Sequence, residues 1–238
     1  MGTKQLDFSN DTDDDWMAVV GKLRERQRAM NLELGEEEKQ EYEGDDGPTQ
    51  MDKMKCLQTW GVPERILKNL FSQEEPLIDT RAVKWIREFS VQPREAWVLV
   101  LSGGKGTGKS TGAAVWLYDN VPMDGAPTYT TRYWWSGTRI ARTNGYAKEF
   151  EKMLQHKFMV IDDLGVEYLD KNGNFLQRLD ELIDERYSNF KRTIITTNLN
   201  VEAFQNRYGD RVTDRMREGF AYGGGFYEIA DDSMRARR

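Results

Sequence analysis

Trp97-Val98-Leu99-Val100-Leu101-Ser102-Gly103-Gly104-Lys105-Gly106-Thr107-Gly108-Lys109-Ser110-Thr111 joins an apolar run to a glycine-rich turn, a lysine and two hydroxyls. The spacing of Gly103, Gly108, Lys109 and Ser110 fits a phosphate-binding loop that feeds a helix. Glycines let backbone N–H groups wrap a phosphate, Lys109 can reach the outer phosphates, and Ser110 can ligate Mg2+. The run from Trp97 to Leu101 predicts the strand before the loop, and Lys109 to Asp119 the helix after it. Gly103, Gly104, Lys105, Gly106, Thr107, Gly108, Lys109, Ser110 and Thr111 are therefore expected to bind a nucleoside triphosphate. The competing reading is a glycine-rich surface turn.

Outward from this loop, the pattern alternates. A second strand is expected from Pro127 to Tyr133, then a helical stretch over 135–155 interrupted by Gly145. Phe158-Met159-Val160-Ile161 reads as a buried strand, Asn174 to Ser188 as a helix, and Thr193 to Thr197 as the next strand. Short helices over 200–217 and a last strand from Gly225 to Ile229 complete the series. Strand–helix alternation with continuously apolar strands predicts an α/β fold, a parallel sheet covered on both faces.

Chemistry gathers at the predicted strand ends. Val160-Ile161 runs into Asp162-Asp163, and a parallel strand delivers such carboxylates to its C-terminal end, beside the loop. Asp162 is placed to hold Mg2+ and Asp163 to orient the attacking water. Thr196-Thr197-Asn198 ends the next strand with an uncharged amide, which can bond a γ-phosphate or the water. Arg211 and Arg215 are four apart and share a helix face, as a finger entering a neighbouring subunit's site would require.

Bulk properties narrow the options. The 238 residues carry a net charge of -6, yet residues 1–50 hold fourteen acidic and six basic side chains, leaving a net of +2 for residues 51–238. An acidic whole therefore does not exclude nucleic acid as a partner. Residues 1–50 read as an acidic, partly disordered segment with a short helix over Trp16 to Leu34, suited to docking a partner; residues 51–238 read as the folded nucleotide-binding domain. A single cysteine, Cys56, excludes intrachain disulfides and is expected to be a small buried hydrophobe. His156 is the only histidine, so a histidine-based metal site is not expected. No run reaches the roughly 18 apolar residues of a membrane span, and no signal segment follows Met1, so a cytoplasmic protein is expected.

Taken together, these motifs resemble the AAA+ ATPases of the bacterial helicase-loader and transposition-helper group, the DnaC, DnaI and IstB type. The resemblance covers most of residues 55–229 and adds Gly61-Val62-Pro63, Leu182-Ile183-Asp184-Glu185-Arg186-Tyr187 and Tyr208-Gly209-Asp210-Arg211 to the motifs above. It implies an AAA+ P-loop fold with a reduced or absent C-terminal lid domain. It also implies Asn198 as the sensor residue, Arg215 as the arginine finger with Arg211 as second choice, and slow or DNA-stimulated hydrolysis. Asp163 stands where many AAA+ proteins have glutamate. The implied partners are a homo-oligomer in a spiral or ring, single-stranded DNA and a hexameric replicative DNA helicase. The alternatives are an IstB-like helper that binds duplex DNA and a transposase, or a non-hydrolysing DNA-binding adaptor. The acidic first fifty residues favour helicase loading.

Residues 131–142 interleave aromatics with positive charge. Arg132, Arg139, Arg142 and Lys148 can neutralise phosphates, while Tyr133, Trp134 and Trp135 can stack on unpaired bases. Helical angular spacing is expected to turn at least one of the adjacent tryptophans outward. Lys171 and Arg235 to Arg238 are further candidates.

Overall fold

The computed structural model describes residues 47–71, 80–122, 132–143, 148–169 and 173–230. The helix expected over 16–34, the acidic stretch that follows it, Lys171 and residues 235–238 lie outside the described residues.

Helix α1 (Gln50–Thr59) starts at a capping box in which Thr49 and Asp52 satisfy each other's backbone N–H groups. Helices α2 (Glu64–Phe71) and α3 (Arg81–Ser90) follow, each with one apolar face. Strand β1 (Val98–Gly103) is buried along its whole length and leads to α4 (Lys109–Asp119). Helix α4 buries Gly112 through Leu117 without interruption, because the sheet lies on one side and α1, α2 and α3 on the other. That packing explains why an apolar segment precedes β1 in the chain.

Strand β2 (Arg132–Ser136), helices α5 (Gly137–Arg142) and α6 (Lys148–Gln155), and strand β3 (Phe158–Leu164) come next. Helix α7 (Asn174–Ser188), β4 (Thr193–Thr197), α8 (Val201–Tyr208), α9 (Asp210–Ala221) and β5 (Gly225–Ile229) complete the fold. All five strands are parallel, in the order β2-β3-β4-β1-β5. Within the described residues the expected strands and helices appear, with β2 reaching on to Ser136 and the 135–155 stretch divided between β2, α5 and α6; the part of the expected strand before Arg132 and the interruption at Gly145 lie outside the described residues.

Strand alternation separates two cores. Leu99, Leu101, Trp134, Val160 and Ile194 face α1 to α4, whereas Val98, Val100, Trp135, Ile161 and Ile195 face the layer of α6 to α9. The chain leaves β1 toward β2 on one side and later crosses from β4 to β5 on the other, so the sheet has a switch point at the C-terminal end of β1. Open α/β sheets bind ligands at such a crevice. Among the described residues no helical lid follows β5, and none of their helices is long and apolar enough to cross a membrane.

Candidate nucleotide site and its surroundings

Strand β1 delivers Gly103 at the mouth of the switch point. Its φ is 129°, and a Cβ there would lie 2.4 Å from the Ile229 carbonyl oxygen, so only glycine fits between β1 and β5. The loop closes at Gly108 (φ 86°), which caps α4 without any side-chain hydrogen bond. First-turn N–H groups of α4 are thereby left for an anionic ligand, helped by the helix dipole. Lys105 and Gly104 lie exposed at the outer turn, while Ser110 and Thr111 open α4 beneath it.

Lys109 is buried. Its ammonium donates to the carbonyl oxygens of Gly103 and Gly104, both at 2.7 Å, and to Asn198 Oδ1 at 3.2 Å. The contact with Asn198 follows from topology, since β4 lies between β1 and β3 and ends beside the loop. Ser102 Oγ reinforces that junction by donating to the Leu199 carbonyl at 2.6 Å.

Asp162 and Asp163 diverge at the end of β3. Asp162 is buried, and burial pushes its carboxyl above the usual carboxylate range against hydrogen bonds from Thr196 and Ser110. Asp163 is exposed with φ 51°, at an irregularity in the β3–β4 register between Ile161 and Leu164. Aspartate enters the left-handed region more readily than most residues, a local reason for Asp at this position.

Thr196 coordinates the two. Its hydroxyl donates to Asp162 Oδ1 at 2.6 Å and accepts from the Asp163 backbone N–H at 2.9 Å. Its signal in the sequence is a polar pair, Thr196-Thr197, inside a fully buried strand. Glu167 is also buried and accepts from Gly165 N at 2.7 Å, Arg207 Nε at 3.0 Å and Tyr208 Oη at 2.7 Å, fastening the loop after β3 to α8.

The residues present fit a magnesium nucleotide. A buried carboxylate held by the Ser110 hydroxyl, beside a buried lysine and an uncapped helix start, suits a cation that keeps waters and shares phosphate oxygens. Among the described residues no group of three or more His, Cys, Asp or Glu side chains forms an all-protein metal cage.

Arg215 and Arg211 lie on α9, away from Lys109 in sequence and turned toward α7. Arg215 is mostly buried and pairs with Asp180 at 2.7 Å and Asp184 at 2.5 Å. Arg211 reaches Asp180 at 3.3 Å but keeps 68% of its side chain exposed. Within one subunit, Arg211 is thus the more accessible of the two.

The aromatic and basic residues divide differently from expectation. Trp134 and Trp135 are both buried, in the cores on opposite faces of the sheet. They sit on strand β2, where neighbours alternate and both faces are covered, so helical spacing turns neither outward. Neither ring is free to stack on DNA. Arg132 is half-buried, with its guanidinium 4.8 Å from the Phe158 ring and 5.6 Å from that of Trp60. Burial lowers its pKa from the ordinary arginine value. Tyr133 is partly buried, whereas Arg139, Arg142 and Lys148 are exposed. Cys56 and His156 are buried.

Residues 53–238 match the family model of the IstB-like ATP binding protein. No curated protein matches the chain in sequence. Among solved structures, the DnaC helicase loader is similar at 24% identity over 70% of this chain and 99% of that one, with a TM-score of 0.51. DnaI is similar at 16% identity over 73% and 94% of the two chains, TM-score 0.51. The replication initiator DnaA bound to AMPPCP and single-stranded DNA is similar at 16% identity, TM-score 0.51; the match covers 72% of this chain and 52% of DnaA. At these identities the structures establish the fold, an AAA+-like parallel sheet flanked by helices. With the family model spanning the loop, both carboxylates, Asn198 and α9, the chain belongs to the IstB-like ATP binding protein family.

Proposed function

We propose that this chain is an ATP-dependent helper of DNA transposition, which assembles on duplex DNA as an oligomer and engages a transposase. The observation that carries this reading is the family match over residues 53–238, which includes every catalytic candidate. Helicase loading, favoured by the acidic first fifty residues, becomes the second reading.

In this account Gly103 to Thr111 bind the triphosphate of ATP and Lys109 neutralises its outer oxygens. Ser110 and Asp162 hold Mg2+, which draws charge from the phosphates when bound. Asp163, turned to solvent by its left-handed backbone, orients the water, and Asn198 links nucleotide state to the loop through Lys109. Arg215, or Arg211, completes a neighbour's site. Asp180 and Asp184 must then share or release Arg215 as subunits assemble. Arg139, Arg142 and Lys148 supply contacts to DNA phosphates, and residues 1–50 dock the partner while 51–238 form the ATPase domain. Binding to the assembled state alone gives ATP its control over assembly.

Subunit mixing tests the shared site. An arginine finger contributes about a thousandfold or more to turnover. Doping Arg215→Ala subunits into wild type is therefore expected to lower DNA-stimulated ATP hydrolysis in proportion to the neighbours each defective subunit serves. Lys109→Ala subunits are expected to abolish only their own sites. Normal turnover per wild-type subunit in the Arg215→Ala mixtures, with Arg211→Ala equally silent, would overturn the shared site.

A further inference from the structure

A cleft of about 510 Å3 opens between β2, α5 and α6, away from the phosphate loop. Tyr133, Trp135 and His156 form one wall, and Arg139, Lys148 and Lys152 bring three positive charges against the single carboxylate of Glu149. Trp135 and His156 are buried and back the partly exposed Tyr133 ring, so the wall is a braced run of π groups. The Tyr133 ring stacks on His156 at 5.0 Å and 16°, leans on Trp135 at 5.2 Å, and the Arg139 guanidinium lies 4.1 Å from Trp135. Arg139 ends the run with 45% of its side chain exposed, steadied by Glu149 at 2.5 Å. A guanidinium plane held in this way offers a stacking face to a base, and the two lysines can neutralise an adjoining phosphate.

Size decides what enters. The volume falls within the range of about 300–1,000 Å3 of small-ligand sites. A paired base has both faces covered by its neighbours and cannot reach such a wall, but an unstacked one can. We infer that this cleft holds one unpaired or extruded nucleotide of a DNA strand, its base against the exposed Arg139 guanidinium and the partly exposed Tyr133 ring and its phosphate at Lys148 and Lys152. The inference rests on the proposed DNA-binding role and deepens it: the chain would grip duplex DNA where a base leaves the stack. A free nucleotide has the same chemistry; exposed Arg142, on the same helix as Arg139, favours a strand by extending positive charge beyond the cleft.

Fluorescence anisotropy of the full chain with MgATP tests this on three labelled 20-bp duplexes: fully paired, with one bulged thymidine, and with an abasic bulge of equal charge. The bulged thymidine is expected to bind roughly tenfold tighter than the paired duplex, as one base stack contributes, and the abasic bulge to lose most of that gain. Lys152→Glu is expected to remove the preference, whereas the charge-matched Lys84→Glu, on exposed α3 surface, keeps it. Equal binding of all three duplexes, or an unchanged preference in Lys152→Glu, overturns the cleft and leaves the DNA-binding role standing. Failure to bind any duplex overturns both. Binding of thymidine monophosphate without a bulge preference assigns the cleft to a free nucleotide and likewise overturns the inference.

Discussion

Thr196 puts one hydroxyl between the Asp162 carboxylate and the Asp163 backbone N–H. It orients Asp162 as a donor and fixes the Asp163 backbone as an acceptor. Thr196→Val keeps the shape but leaves both groups short of a partner, so the fold is expected to lose about 1–3 kcal/mol. ATP turnover is expected to fall about tenfold or more, as small displacements of positioned groups cost that much. Chemical denaturation and steady-state ATPase assays check the two effects separately. Asp162 gives a prediction of opposite sign. Its folded carboxyl titrates above the ordinary value because burial disfavours the charge. The metal-free fold therefore bears a cost at pH 7 that disappears as falling pH protonates the group. Asp162→Asn is expected to melt higher than wild type at pH 7 without Mg2+, with the gap closing toward pH 4. The same variant is expected to lose the stabilisation that MgATP confers on wild type. Melting curves over that pH range, with and without MgATP, read both signs.

At the scale of elements, the β-sheet was legible wherever periodicity was strong. The run Thr193-Ile194-Ile195-Thr196-Thr197 forms β4, and the helix from Asn174 to Ser188 buries Phe175, Leu179, Leu182, Ile183 and Arg186 on one stripe. The tryptophan pair was misread because Tyr133-Trp134-Trp135 fits a helix start as well as a strand; only the sheet's two covered faces distinguish them. Gly61-Val62-Pro63 gains its meaning the same way. Trp60 accepts a hydrogen bond from the Trp134 N–H at 2.8 Å, and Gly61 approaches Tyr133, so this turn covers the outer edge of β2. Arg186, on the buried stripe of α7, was invisible as a structural residue because arginine is seldom buried completely. It donates to the carbonyls of His156 and Arg192 at 2.9 Å and to Thr193 Oγ1 at 2.5 Å, tying α7 to the starts of β3 and β4. Desolvation pulls its pKa down to about 9. Arg186→Met relieves that buried charge but orphans at least two carbonyls, so a net loss of about 2 kcal/mol is expected in urea unfolding.

At the scale of the molecule, the order of loop, carboxylates and amide along the chain predicts one site, and parallel topology brings those residues together. Lys109 at the start of the helix after β1, Asp162 on β3 and Asn198 just past β4 meet at the C-terminal edge of the sheet, because β3, β4 and β1 lie side by side. What order in the chain left open was the direction of the arginines and the support behind the site. Asp180, Asp184 and Glu167 act through packing between helices and loops far apart in sequence, which no local pattern encodes. Partner choice was harder still, because an acidic segment recommends docking without naming what docks. The most direct test is recovery of the tagged full chain from its native host in the presence of MgATP. The account predicts that a transposase is recovered with wild type and lost with Lys109→Ala; recovery of a replicative helicase in place of a transposase would contradict it.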